Sequence, residues 1–184
     1  MNKKVHLIKE KLHKNIHYIE ELEKVFSRYP ARKQVVLCLL KNGLRVGDKG
    51  KILCGDIEIS PAKLSRNLKI DRRVINDTVK FVLFEPDLKN LFTKIKPMAR
   101  IDEFARELGL GVIRIYVKNA KESGLIHKIT GIVAEYNVSI KQLIAEDPEL
   151  GYDPSLILVL EKELPRGLIN ELKGLGFITK IEVM

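Results

Sequence analysis

Cysteine is scarce in this 184-residue chain, which contains only Cys38 and Cys54. The two stand 16 positions apart and belong to no Cys-x-x-Cys pair or Cys/His cluster, which argues against a disulfide framework and a zinc site and favours a reducing compartment. His13 and His17 are spaced to share one side of a helix, but no carboxylate completes a ligand set. We therefore expect solvated surface there and no metal.

Long apolar runs are also missing. No stretch of about 18 apolar residues occurs and the N-terminal residues are rich in charge, so we expect neither a signal peptide nor a membrane span, and a cytoplasmic location. The composition, 45% hydrophobic and 31% charged, is that of a globular protein and excludes disorder of the whole chain. A chain of this length forms one domain of ordinary size or two small ones.

Nucleotide-binding and catalytic patterns are absent as well. Gly47–Lys51 lacks the frame of a phosphate-binding loop, and Gly109–Gly111 lacks the third glycine of a dinucleotide fingerprint, so both are predicted to be turns. The first 100 residues contain no grouped nucleophile, base and carboxylate. We therefore expect no enzyme and no cofactor.

Positive charge is in excess, and the excess lies in one half of the chain. Residues 1–100 carry 23 Lys and Arg against 11 Asp and Glu, or +12, whereas residues 101–184 carry 10 against 13, or −3. A basic half joined to a mildly acidic half is typical of a polyanion-binding module attached to a regulatory or assembly module. The alternative is that the asymmetry serves solubility alone.

Residues 1–28 are predicted to form an amphipathic helix. When Asn15 is counted as a polar seam position, the seam residues recur at alternating spacings of three and four; the apolar ones are Val5, Ile8, Leu12, Ile19, Leu22 and Phe26. Three such heptads with one polar seam residue favour pairing with a second chain as a coiled coil. The alternative is an ordinary helix packed on its own domain.

Residues 29–97 are predicted to be a helical domain built around a helix-turn-helix. A first helix over 31–41 is followed by a short, mixed stretch over 51–59 for which an extended conformation is one option. Helices over 61–68 and 72–84 then follow, joined by a three-residue turn.

The boundaries of the helix-turn-helix rest on capping residues. Ser60 followed by Pro61 is a strong helix start, Asp71 can cap the second helix, and Glu85-Pro86 stops it. The inward side of the second helix is apolar, and four polar residues remain outside: Arg72, Arg73, Asn76 and Lys80. Arginine and asparagine are the residue types that recognise guanine and adenine edges in the major groove, and lysine suits phosphate. The alternative is a structural helical hairpin with a solvated basic face.

Residues 98–110 are predicted to be a linker helix. Ile101, Phe104, Ala105 and Leu108 form one apolar stripe at helical spacing, and glycines end the stripe. Lys96-Pro97 separates this helix from another predicted over 87–96.

Residues 111–184 change to the alternation typical of strands. Strands are predicted over 112–117, 138–145, 156–160 and 177–183, and helices over 125–136 and 166–172. The order β-α-β-β-α-β is the ferredoxin-like unit, one antiparallel sheet with both helices on one face. The predicted fold class is therefore α+β, with a helical helix-turn-helix domain followed by a ferredoxin-like domain.

The stretch Leu64–Ile75 resembles the helix-turn-helix of bacterial and archaeal transcription regulators. Ser65 takes the small position where the helices cross, Leu68 and Ile70 the core positions, and Asp71 the cap. Lys69 departs from the pattern, because it replaces the glycine that normally adopts the left-handed turn conformation, at a cost of about 1–2 kcal/mol.

The C-terminal residues resemble an ACT domain, a regulatory module that binds amino acids. Residues 118–126 are similar to the loop that opens the first ACT helix, with Gly124 on the family's glycine and Ser123 in place of proline; residues 137–140 are similar to the Gly-Val-Asn-Ile of its second strand. The resemblance implies one ligand site formed by both stretches, in which Ser123 caps the helix. The implied residues are Asn119, Lys121, Ser123, Gly124, Leu125, Asn137 and Ser139.

Taken together, the chain resembles predicted archaeal transcriptional regulators of amino-acid metabolism that join a helix-turn-helix to an ACT domain. The resemblance implies double-stranded DNA and a small-molecule effector, an amino acid first of all, as partners, and a homodimer or a dimer of dimers. Two alternatives stay open: a leucine-responsive-type regulator, and an RNA- or protein-binding regulatory module without DNA specificity.

Overall fold

The computed structural model describes residues 18–148 and 153–184, and the chain divides into two compact units after Met98. Among the described residues of the first unit are five helices and three short strands. In chain order they are α1 (Tyr18–Phe26), α2 (Pro30–Lys41), β1 (Leu44–Val46), β2 (Ile52–Cys54), β3 (Ile57–Ile59), α3 (Pro61–Leu68), α4 (Arg72–Phe84) and α5 (Pro86–Phe92).

The helix α1 packs on its own domain. Leu22 and Phe26 are buried, and the Phe26 ring meets the Phe81 ring of α4 edge-on, with 5.7 Å between the ring centres. For residues 18–26 the observed packing is therefore that of an ordinary helix, the alternative to the coiled coil. The earlier heptads, over residues 1–17, lie outside the described residues.

A small antiparallel sheet connects α2 to α3. Its strands lie in the order β1-β2-β3, and Ile52 of the central strand faces Val46 on one side and Ile59 on the other. The sequence predicted only an extended option over 51–59 and missed β1, because three-residue strands are too short to show a period.

The helix-turn-helix forms as predicted. The Ser60 side chain accepts a hydrogen bond from the Lys63 backbone N at 3.4 Å, and Asp71 Oδ1 accepts one from the Arg73 backbone N at 2.7 Å. Ser65 Oγ donates to the Ile70 carbonyl at 2.7 Å where the two helices cross. Lys69 has φ 55°, so it adopts the left-handed conformation that the family pattern reserves for glycine.

We expect Lys69→Gly to raise the free energy of unfolding of the first unit by about 0.5–1 kcal/mol, because glycine adopts this conformation without strain and the gain exceeds its entropic cost. Arg66→Gly is the matched control, since it also removes an exposed cation but lies within α3, where glycine should destabilise by about 1 kcal/mol. Urea unfolding of both variants measures whether the free energy of unfolding rises in Lys69→Gly and falls in Arg66→Gly. A loss of stability in Lys69→Gly would contradict the strained turn.

The second unit is a ferredoxin-like fold, which confirms the predicted α+β class. Its elements are β4 (Gly111–Val117), α6 (Leu125–Glu135), β5 (Ile140–Ala145), β6 (Ser155–Leu160), α7 (Leu168–Lys173) and β7 (Ile178–Val183). The strands form one antiparallel sheet in the order β5-β6-β4-β7. Both helices cover one face, where Leu156, Leu158 and Leu160 of β6 pack with Ile129, Val133 and Leu168.

The predicted linker helix over 98–110 is wrong. Residues 102–105 form a turn and Arg106–Leu108 a single 3₁₀ turn, but no α-helix forms; residues 99–110, here termed the cover segment, lie on the other face of the sheet. Ala105 is fully buried there against Val112, Ile157 and Val159. Phe104 and Leu108, which the helical stripe placed beside Ala105, are 48% and 62% exposed.

Hydrogen bonds explain why the cover segment is not a helix. Gln142 Nε2 donates to the Ala99 carbonyl at 2.8 Å, and Gln142 Oε1 accepts from the Ile101 backbone N at 3.0 Å. Both backbone groups are thereby held by a side chain of β5. With both faces of the sheet covered, all six residues of β6 are buried.

Candidate functional site

The first candidate site is the outward face of the helix-turn-helix. Arg72, Arg73 and Lys80 of α4 are exposed, and Asn76 is half-buried on the same helix. The opposite side of α4 is the packed one, with Ile75, Thr78, Val79 and Val82 buried. The structure thus places the four predicted DNA-binding residues along one helix, three of them exposed.

Three further cations of this face were missed by the sequence interpretation. Lys63 and Arg66 project from α3, and Lys69 lies in the turn; all three are exposed. Among the described residues, none of the six exposed cations of this face forms an ion pair, whereas Lys33, Arg45 and Lys51 elsewhere in the unit do. The i, i+3 spacing of Lys63, Arg66 and Lys69 could have revealed this cationic row.

The second candidate site is a cavity of about 450 Å³ in the ferredoxin-like unit. It lies where β4 ends, α6 begins, β5 ends and β6 begins, and its lining is mainly apolar, including Val117, Leu125, Ile129 and Leu156. Cavities of this size and composition are typical of small-molecule sites.

The loop before α6 contributes to this cavity, with one correction. Ser123, Gly124 and Leu125, three of the residues expected to bind a ligand, line it. Asn119 and Lys121 do not; Asn119 Oδ1 instead accepts a hydrogen bond from the Lys121 backbone N at 3.1 Å and shapes the loop. The predicted Ser123 cap is wrong, because Gly124, with φ 82°, occupies the cap position and no side chain caps α6.

Asn137 and Ser139 are not part of the cavity. They precede Ile140, which pairs with Leu160, whereas the cavity lies at the other end of β5, where Ala145 pairs with Leu156. Five residues of strand separate the two ends by about 15 Å. The single ligand site expected from both stretches is therefore not formed within one chain.

The structure gives Asn137 and Ser139 a role in the turn instead. Asn137 has φ 51°, which matches the glycine place in the family pattern, and its carbonyl accepts from Lys162 Nζ at 3.4 Å. The Ser139 backbone N donates to Glu161 Oε1 at 3.3 Å.

A polar network runs from the cavity to the cover segment. Glu146 lines the cavity, and its Oε2 accepts from the Ser155 backbone N at 3.2 Å and from Ser155 Oγ at 2.8 Å. Glu146 Oε1 lies 3.8 Å from Arg100 Nη1. Arg100 in turn donates from Nε and Nη2 to the two oxygens of Asp102, at 3.1 and 2.6 Å.

Asp102 is the buried centre of this network. Its side chain is fully buried, and its second cation, Arg114, has Nη2 at 4.0 Å from Oδ2. The hydrogen bonds from Arg100 lower the pKa of Asp102 and outweigh the opposing effect of burial. The same pairing raises the pKa of Arg100, so both groups are charged at neutral pH.

Within residues 18–148 and 153–184, no three His, Cys, Asp or Glu side chains are placed to hold a metal ion. No helix in those same ranges is long and apolar enough to cross a membrane.

Comparisons with known proteins find likenesses among solved structures. No family model matches the chain, and no curated protein matches it. The chain is similar to the ACT domain from GTP pyrophosphokinase of Chlorobium tepidum, with 18% identity over 41% of this chain and 84% of that domain and a TM-score of 0.33. It is also similar to E. coli AsnC, with 18% identity over 68% of this chain and 78% of that chain and a TM-score of 0.25. Both TM-scores are low, so the fold assignment rests on the chain's own strand order and register.

Proposed function

We propose that this chain is a cytoplasmic DNA-binding transcriptional regulator whose second unit senses a small metabolite, an amino acid first of all. The observation that carries the proposal is the capped helix-turn-helix with its exposed cations on α3, the turn and α4. Cations without ion-pair partners are free to replace the counterions of a nucleic acid. A regulator is proposed rather than an enzyme.

The proposal assigns different tasks to the two ends of this face. Arg72, Arg73 and Asn76 lie in the first two turns of α4, the end that enters the major groove in helix-turn-helix proteins, and are assigned to base edges. Lys80 lies further along α4 and Lys63 on α3, where phosphate contacts position the protein without selecting sequence.

The ferredoxin-like unit is assigned to sensing and assembly. Its strand order and the resemblance of residues 111–184 to an ACT domain support effector binding, and the cavity beside α6 offers a place for it. The strands β5 and β7 are the sheet edges, which can pair with a second copy. We therefore propose a homodimer or a dimer of dimers, of the kind found among the archaeal regulators that the sequence resembles.

Selection of bound sequences from random duplex DNA, with and without a pool of the twenty amino acids, tests the proposal. We expect one enriched motif with two half-sites about 34 Å apart, since a symmetric dimer contacts successive turns of the groove. Light scattering measures the oligomeric state in the same sample. A monomer that enriches no motif, or equal affinity for single-stranded RNA, would refute DNA recognition and favour the RNA- or protein-binding alternative.

A further inference from the structure

The cavity beside α6 contains two carboxylates, Glu122 at the exposed loop and the half-buried Glu146 at the end of β5. Among the described residues of its lining, the one basic side chain is the exposed His127, and there is no lysine or arginine. The remaining lining is mostly apolar. A site of this composition is complementary to a ligand with an apolar body and one positive group.

Glu146 is held in place before any ligand arrives. Its Oε2 is bonded twice, to the backbone N and to Oγ of Ser155, and Ser155 is itself buried at the start of β6. A carboxylate fixed in this way loses little side-chain freedom on binding, so more of the interaction energy remains as affinity.

The other oxygen of Glu146 is available. Arg100 Nη1 lies 3.8 Å from Oε1, which is an ion pair but too long for a hydrogen bond. Arg100 uses Nε and Nη2 for Asp102 instead. Oε1 thus retains acceptor capacity at the wall of an apolar cavity, where a charge-assisted hydrogen bond is stronger than in water.

We infer that the cavity binds a compound with an apolar body and a primary ammonium group, and that Glu146 Oε1 accepts a hydrogen bond from this ammonium. The inference rests on the effector role proposed above and names the chemical group that is recognised. Glu122, being exposed, contributes little, because solvent screens its charge.

Matched probes separate the ammonium from the rest of the ligand. L-leucine, 3-methylbutylamine and 4-methyl-2-oxopentanoate share one apolar body but carry an ammonium and a carboxylate, an ammonium alone, and a carboxylate alone. Analogous sets built on alanine and phenylalanine cover smaller and larger bodies. Calorimetric titration of the full chain at neutral pH should show binding of the ammonium-bearing members of at least one set and binding of the oxo acid about 10- to 100-fold weaker.

Two variants locate the recognition. Glu146→Gln keeps the shape of the side chain and removes its charge, and it should weaken the ammonium-bearing probes about 10- to 100-fold. Glu122→Gln is the matched control and should change affinity by less than about 3-fold. Thermal unfolding establishes that both variants are folded. If a variant does not fold, the probe series on the wild-type chain still tests the inference.

Several outcomes would overturn the inference. They are an oxo acid that binds as tightly as the amino acid, a Glu146→Gln variant with unchanged affinities, and the absence of binding by every member of all three sets. DNA affinity without any probe is measured on the same samples. Retention of DNA binding with failure of the probe series would reject the cavity and leave DNA recognition intact, whereas the converse would reject the DNA-binding function alone.

Discussion

Replacing Asp102 with alanine is expected to lower the free energy of unfolding of the ferredoxin-like unit by about 2–3 kcal/mol. The carboxylate is fully buried, accepts two hydrogen bonds from Arg100 and lies near Arg114, so its removal leaves two cations without their shared partner. Loss of one member of a buried pair costs about 3–5 kcal/mol, and partial hydration of the two exposed guanidinium edges reduces this figure.

Urea unfolding at neutral pH measures this loss, and Glu103→Ala is its control. Glu103 is the next residue, is exposed, and should change stability by less than about 0.5 kcal/mol. The pKa of Asp102 is lowered in the folded state, so its stabilisation is complete above the ordinary carboxyl value near 4 and is lost as the pH falls through the folded-state pKa. The difference in free energy of unfolding between wild type and Asp102→Ala should therefore become smaller in acid. A gap that is constant or widens would contradict the charged pair.

Replacing Arg73 with alanine is expected to weaken binding to the selected duplex by about 1–3 kcal/mol, or roughly 5- to 150-fold, and to relax sequence preference. Arg73 is exposed in the first turn of α4 beside the Asp71 cap, where a bidentate contact to guanine is within the reach of an arginine. Lys80→Ala should instead weaken all duplexes alike and reduce the slope of affinity against salt by about one ion, as loss of a phosphate contact does.

Fluorescence anisotropy on selected and scrambled duplexes at several salt concentrations distinguishes the two effects. Lys51→Ala is the control, because this cation pairs with Glu58 on the small sheet and should leave both affinities nearly unchanged. Equal losses on selected and scrambled DNA for Arg73→Ala would show that it contacts phosphate only. If Lys51→Ala weakened DNA binding as much as Arg73→Ala does, the protein would bind DNA through a diffuse basic surface.

Local signals explain which parts of the fold could be predicted. The helix-turn-helix is specified by neighbouring residues, because Ser60 and Asp71 satisfy backbone groups within three positions of themselves. The fully apolar run Leu156–Leu160 predicts a central strand, and the observed strand Ser155–Leu160 is buried throughout. Neither inference needed distant partners.

The predictions that were wrong concern features that depend on residues distant in the sequence. The spacing of Ile101 and Ala105 is compatible with a helix. The contacts that hold this segment on the sheet come from distant residues: Gln142 is 41 residues from Ile101, and Ala105 packs against Ile157 and Val159. The separation of Asn137 and Ser139 from the cavity follows from topology rather than from local sequence. In a β-α-β unit the second strand starts at the end opposite to the one where the first strand stops, so the predicted order already implied it.

The central strand β6 also bears on how the chain is made. Its six residues carry no charge and five of them are large and apolar, so the segment is prone to aggregate whenever it is left unpaired during synthesis. Both of its partners, β4 and β5, and the cover segment precede it in the chain, whereas β7 pairs with β4 alone. The ribosome therefore synthesises β6 after both strands that pair with it and after the segment that covers one of its faces. The strand most prone to aggregate can pair as soon as it leaves the ribosome.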